Sequence, residues 1–412
     1  MTGAGFLVSL SATSLAWIAF LYKLRALWRG RSDPATRALC LSLGLLAVAM
    51  TVLTVLYSPV DQALHRPNSA QVIGNGLGVS AGCSGLAFLA HLSLPAARAT
   101  RLVRVYEFAL FVALFVMVAC FASMPVLPED SDFWSHYAAK PFVAEYRMAY
   151  LVYLGIVVVN VTILSWRYSA VAAARPSMCF GLRMVALGGL TGMIYVVREA
   201  IRVLAPLFGA DASAQQLLVA RPQVPPAIAV GLLAVGSTMP SWGPRVGVDH
   251  AAAWLTAYRS LLRLYPLWSD ICSAIPQIAL ESPAGRVAEA SNLRAVHFRL
   301  HRRVIEVRDG MVLLRSRVDP LASTHARHLC ASRGITGEDA AAVVGALQLL
   351  TALTSSTSGS VKDAHPEAFA HLPEMGFSAE VRDLERLARA YGSSLVQGAA
   401  KRLGHATFAL VE

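Results

Sequence analysis

The first 240 residues carry apolar runs too long for the interior of a soluble domain, at 4–21, 38–57, 72–94, 108–124, 148–166 and 184–205, with a weaker seventh at 224–239. A helix rising about 1.5 Å per residue needs roughly 20 such residues to cross a hydrocarbon core of about 30 Å. The six full runs therefore predict membrane-spanning helices. The seventh reaches only about 24 Å at that rise, but Pro225 and Pro226 stand where a helix's first turn has no partner for an N–H, so a span is expected there too.

From Trp242 onward the period changes to that of amphipathic helices. Leu255, Tyr258, Leu262 and Tyr265 recur at steps of three and four, and Leu267, Ile271 and Ile275 continue beyond Pro266. A further helix is expected over 292–308, stopped by the turn dipeptide Asp309-Gly310, with others over 338–354 and 378–403 and a polar loop at 355–366. No strand-rich segment interrupts this pattern. The expected fold class is all-α, a polytopic membrane helix bundle of about seven transmembrane helices over 1–240, followed by a soluble helical domain over 241–412.

Composition agrees with that division. Of the 412 residues 56% are hydrophobic and 15% charged, and the mean hydropathy is +0.53, values that do not fit a wholly soluble surface. The first 240 residues hold 17 of the 36 Lys and Arg and 9 of the 25 Asp and Glu. Loops one, three and five carry eleven of these cations, namely Lys23, Arg25, Arg29, Arg31, Arg37, Arg98, Arg101, Arg104, Arg167, Arg175 and Arg183. Loops two, four and six carry four, Arg66, Lys140, Arg147 and Arg221, with Glu129, Asp130, Asp132 and Glu145 adding acidity to loop four. Cations are retained on the cytoplasmic side, so a plasma-membrane protein with an extracellular N-terminus and a cytosolic tail is expected. The start, MTGAGFL, lacks the basic region of a signal peptide. The net charge of +11 follows mostly from this topology, and no nucleic-acid partner is expected.

Candidate chemistry is sparse. Ionisable groups in hydrocarbon are costly unless paired or hydrated, which singles out Arg198, Glu199 and Arg202 in the sixth span. Helical spacing places Glu199 with Gly188, Gly192 and Tyr195 on a small-residue face, and Arg202 is its expected partner. The alternatives are a structural ion pair and a ligand or ion site. Gly74, Gly78 and Gly82 form a doubled small-xxx-small pattern that predicts close helix packing. Asn75 is a candidate to line a vestibule with Arg198 and Glu199, and Asn160 to hydrogen-bond between helices or to touch a ligand. Arg294, Arg299, Arg302 and Arg303 make a basic face that either meets anionic lipid headgroups or an acidic cytosolic partner, or is merely solvated. His297 and His301 have metal spacing, but the neighbouring arginines disfavour a cation. The six cysteines show no metal or redox spacing, and no nucleotide-binding or catalytic motif is present. No enzyme activity, metal or cofactor is expected.

The stretches YRSLLRLYPLWSDICSAIPQIAL (258–280) and LRAVHFRLHRRVIEVRDGMVLL (293–314) resemble the tail of an actinobacterial family of seven-span membrane proteins that goes under a transporter label. The cytosolic part of that family is a domain of unknown function. The resemblance implies transport of an unknown small solute. Seven spans followed by a cytosolic domain is also the layout of a sensor or signalling scaffold, and an odd number of spans is awkward for the internal repeats common in transporters.

Overall fold

The computed structural model describes residues 3–29, 33–126, 128, 137, 140–204, 224–281, 283–354 and 376–409. Among them the chain is helical without strands. The loop expected at 355–366 and the loop charges Arg31, Glu129, Asp130, Asp132 and Arg221 lie outside the described residues. The chain divides into two compact units, Met1–Asp249 and His250–Glu412.

Unit 1 contains α1 (Gly3–Trp28), α2 (Pro34–Thr54), a short α3 (Tyr57–Ala63), α4 (Ser69–Ser93), α5 (Ala96–Ser123), α6 (Val143–Val171), α7 (Pro176–Leu204) and α8 (Val224–Val246). All but α3 are long and apolar enough to cross a membrane, which makes seven such helices among the described residues. Most outrun their apolar runs by a turn or more, so charges assigned to loops ride on helix ends. Arg98, Arg101 and Arg104 belong to α5, Arg147 to α6 and Arg183 to α7. The seventh span also exceeds its expected length, because Pro240 and Pro244 lie inside α8 without ending it.

Carboxylates define three of the helix starts. Asp33 accepts from the Thr36 amide at 3.1 Å ahead of Pro34. Asp61, buried in α3, accepts from the amides of Asn68 and Ala70 at the head of α4. Asp249 accepts from the Ser177 amide at 2.7 Å in the first turn of α7. Each fills donors that the helix cannot satisfy itself and matches the positive end of its dipole.

Six helices close a ring in the order α1, α2, α4, α6, α7, α8 and back to α1, while α5 packs outside on α4 and α6. That outer position explains why Phe108, Phe111 and Phe115 of α5 remain 67–71% exposed on one face, where a bilayer would cover them. Small residues set the ring's spacing. A Cβ on Gly181 of α7 would stand 2.5 Å from the Gly236 carbonyl of α8, one on Gly74 2.4 Å from Leu53 of α2, and one on Gly82 2.8 Å from Val157 of α6. Gly188 lies close against Ala229 of α8, and Gly192 against Val158 of α6. Gly78 departs from the packing expectation, since a Cβ there would meet nothing within 4 Å.

Unit 2 takes most of α9 (Val248–Ala274), followed by α10 (Arg286–Ser291), α11 (Val296–Leu314), α12 (Pro320–Arg333), α13 (Gly337–Thr354), α14 (Phe377–Tyr391) and α15 (Ser394–Ala409). Its core joins Leu264 and Ile271 of α9, Val307 of α11, Leu347 of α13 and Leu384 of α14. Helix α9 runs through Pro266 unbroken, in line with the apolar positions that continue beyond it. Two local expectations are corrected. Helix α11 continues past Asp309-Gly310, because Gly310 serves close approach and not a turn: a Cβ there would stand 2.2 Å from Ile271. The single helix expected over 378–403 is two, since the Ser393 hydroxyl accepts from the Val396 amide and starts α15 afresh.

Candidate functional site

The short turn between α6 and α7 folds them into neighbours, so the first turns of α6 lie beside the last turns of α7. This brings Arg147 to Glu199. Both are 3% exposed, and the Arg147 guanidinium donates to Glu199 Oε2 at 2.9 Å and to the Tyr195 hydroxyl at 3.0 Å. From α7 itself, Arg202 Nη1 stands 3.2 Å from Glu199 Oε1 and Arg198 Nη2 3.3 Å from it. The expected partner Arg202 is thus present, but the shortest contact crosses to another helix. Burying a carboxylate costs several kcal/mol unless charge and hydrogen bonds replace water, and three guanidiniums around one Glu199 supply them. In the sequence Arg147 stands among the charges of loop four. The available signal was its position between Tyr146 and Tyr150, at the start of a helical apolar run; the Tyr150 ring in fact lies 5.2 Å from the Arg147 guanidinium.

This cluster forms one end of a cavity of about 600 Å³ in the centre of the ring. All six ring helices line it. Its polar end includes Tyr57, Gln71, Asn75, Arg147, Tyr195 and Arg202. Asn75 donates to the Tyr146 hydroxyl at 3.3 Å, which fixes the amide in the wall. Towards the other end the lining turns apolar, with Leu39, Leu43, Phe88, Leu89 and Leu233, relieved by Ser42 and Ser237. Gly78 and Gly188 face the same space. Lys23, at that far end of the ring, is buried and donates to Ser241 of α8 at 2.7 Å.

Two expectations are corrected here. Asn160 lies outside this cavity and makes no interhelical bond among the described residues; its amide donates to the Ile156 carbonyl of its own helix at 2.8 Å, on a separate apolar groove between α6 and α7. Arg198 bonds Glu199 but is not part of the cavity wall.

In unit 2 the basic helix is spent largely on its own fold. Arg303 is a core residue rather than a surface cation: it is 4% exposed, stacks over Trp268 at 4.2 Å, and donates to Glu289 and to the Leu261 carbonyl. Arg299 pairs with Glu289, and Arg302 with Glu306 at 2.9 Å and Glu281 at 3.3 Å. Arg294 is exposed. His301 packs against Phe377 with ring centres 4.7 Å apart. Burial, reinforced by the nearby Glu306 carboxylate, pushes the Cys272 thiol up to about 11, and burial with the Asp270 contact raises the Tyr391 phenol. Both groups stay protonated parts of the core.

Residues 253–394 match the model of a family of unknown function, DUF6545. The matched stretch lies within unit 2, from α9 to the first residue of α15. It accords with the tail resemblance and carries no chemistry of its own. No curated protein and no solved structure matches the chain.

Proposed function

We propose that the chain is a plasma-membrane transporter, N-terminus outside, that takes a small solute into the six-helix ring. The observation that carries this is the length of the central cavity. Its lining on α4 runs from Gln71 to Leu89, roughly 27 Å of helix at about 1.5 Å per residue, against a hydrocarbon core of about 30 Å. A pocket that only senses an external ligand has no need to pass the bilayer midplane. The volume also falls within the roughly 300–1,000 Å³ of small-molecule sites. With cations retained inside, the Arg147–Glu199 end faces outward and the apolar end inward.

One observation favours a second reading, a sensor with a cytosolic output domain. The cavity-lining α8 passes into α9 through the single residue Gly247, at φ +89°, and Asp249 caps α7, which also carries Glu199. Movement of the cavity wall would thereby reach the start of α9 directly.

The two are separated by a cysteine placed at Gly78, roughly 14 Å along α4 from its start, in a chain whose six native cysteines are replaced. A transporter exposes this thiol to an impermeant reagent from either face of membrane vesicles of known orientation. Reaction from the outer face alone overturns transport in favour of sensing.

A further inference from the structure

The cavity is polar at one end only, and this asymmetry names a substrate class. We infer that the ligand is a single-chain amphipathic acid whose carboxylate sits beside Arg147 and Arg202 and whose apolar body extends past Gly78 towards Phe88 and Leu233. The inference rests on the reading of the cavity as a ligand site and adds what that ligand is.

The head group follows from what the wall already accommodates. The carboxylate of Glu199 is held there by Arg147 at 2.9 Å and Arg202 at 3.2 Å, with the Tyr195 hydroxyl on the same guanidinium. Arg147, Arg198 and Arg202 surround the single carboxylate of Glu199, so this corner carries more positive than negative charge and suits a further anion, and guanidinium–carboxylate hydrogen bonds are about twice as strong as neutral ones. Glu199 lines this end too, but the guanidiniums of Arg147 and Arg202 beside it are donors only, the complement of an acceptor-rich head. The apolar body follows from the other end. Leu39, Leu43, Phe88, Leu89 and Leu233 leave few polar atoms to replace the hydration shell of a sugar, an inorganic ion or a short dicarboxylate. Ser42, one of the hydroxyls there, already donates to the Ala81 carbonyl of α4 at 2.8 Å. Removing apolar surface from water is what such a wall rewards. Between the two ends, the open space at Gly78 keeps the passage continuous where any larger side chain would narrow it.

The test measures binding of radiolabelled hexadecanoate to the full chain in nanodiscs, as saturable excess over empty nanodiscs. Hexadecanol and succinate serve as competitors that share only the tail or only the acid. Saturable hexadecanoate binding is expected, with hexadecanol weaker by ~10-fold or more and succinate without effect. Gly78→Phe should weaken binding by ~10-fold or more while leaving the melting temperature near that of the parent, because a Cβ there meets nothing within 4 Å and the position borders the cavity. This variant keeps the test sound should substitutions at buried Arg147 fail to fold. Equal binding of hexadecanol overturns the acid head. Displacement by succinate, or no saturable hexadecanoate binding, overturns the amphipathic class. Hexadecanoate binding unaffected by Gly78→Phe overturns the location. None of these results bears on two-sided labelling at Gly78, so the substrate class and the transport reading fail separately.

Discussion

At the scale of single residues, Glu199 and Arg147 decide how the ring tolerates charge. Arg147 is as buried as its partner, whereas the side chain of Arg202 retains 13% exposure and lies in the last turn of α7. Removing the guanidinium of Arg147 leaves a buried carboxylate with its interhelical partner gone. Arg147→Leu is therefore expected to destabilise the membrane unit by about 1–3 kcal/mol, the range for losing a hydrogen bond to a buried charge that keeps other partners, here Arg198 and Arg202. Arg202→Leu should cost less, since that side chain is less buried and makes the longer contact to Glu199. Combining Glu199→Gln with Arg147→Leu should cost more than Arg147→Leu alone, because Arg198 and Arg202 then lose the carboxylate they share. Thermal unfolding of detergent-solubilised variants measures all three. Equal losses for Arg147→Leu and Arg202→Leu would place the weight of the cluster within α7 and not between helices.

At the scale of elements, glycines that look alike in the sequence do different work. Gly236 of α8 lies so near α7 that a Cβ would stand 2.6 Å from the Gly181 carbonyl, whereas a Cβ on Gly78 meets nothing. The first contact is backbone to backbone and cannot be relieved by turning a side chain. Gly236→Ala is thus expected to push α7 and α8 apart and cost about 1–3 kcal/mol, as overpacking does. Gly78→Ala should be neutral or stabilising by up to about 1 kcal/mol, since alanine is the better helix former. Melting temperatures of the two variants, measured side by side, test the contrast. A loss at Gly78 equal to that at Gly236 would mean that the cavity is filled by packing after all. The same distinction governs α11, whose Gly310 permits the approach of Ile271 within an unbroken helix.

At the scale of the whole molecule, the eleven-to-four asymmetry of cations counted along the sequence favours an extracellular N-terminus. Unit 2 is expected in the cytosol. Ser332 of α12 is exposed, so a cysteine there, in a chain without its native cysteines, should resist an impermeant maleimide on intact cells and react after lysis. Labelling before lysis would reverse the topology and turn the Arg147–Glu199 end of the cavity inward.

The seven long apolar helices and the all-helical class were legible in the sequence, because lipid demands long apolar runs and internally satisfied backbones, and those demands act on local sequence alone. Glu199 was legible as a costly residue for the same reason. Its principal partner was not, since Arg147 lies 52 residues away and meets it only once α6 folds back against α7. The closed order of the six helices, the exclusion of α5 from the ring and the cavity itself rest on which faces pack against which, and a span's composition is nearly indifferent to that choice. The basic helix shows the limit most sharply: its arginines read as a surface, and tertiary structure turned Arg303 into the core, because Glu289, Trp268 and the Leu261 carbonyl converge on it from other elements.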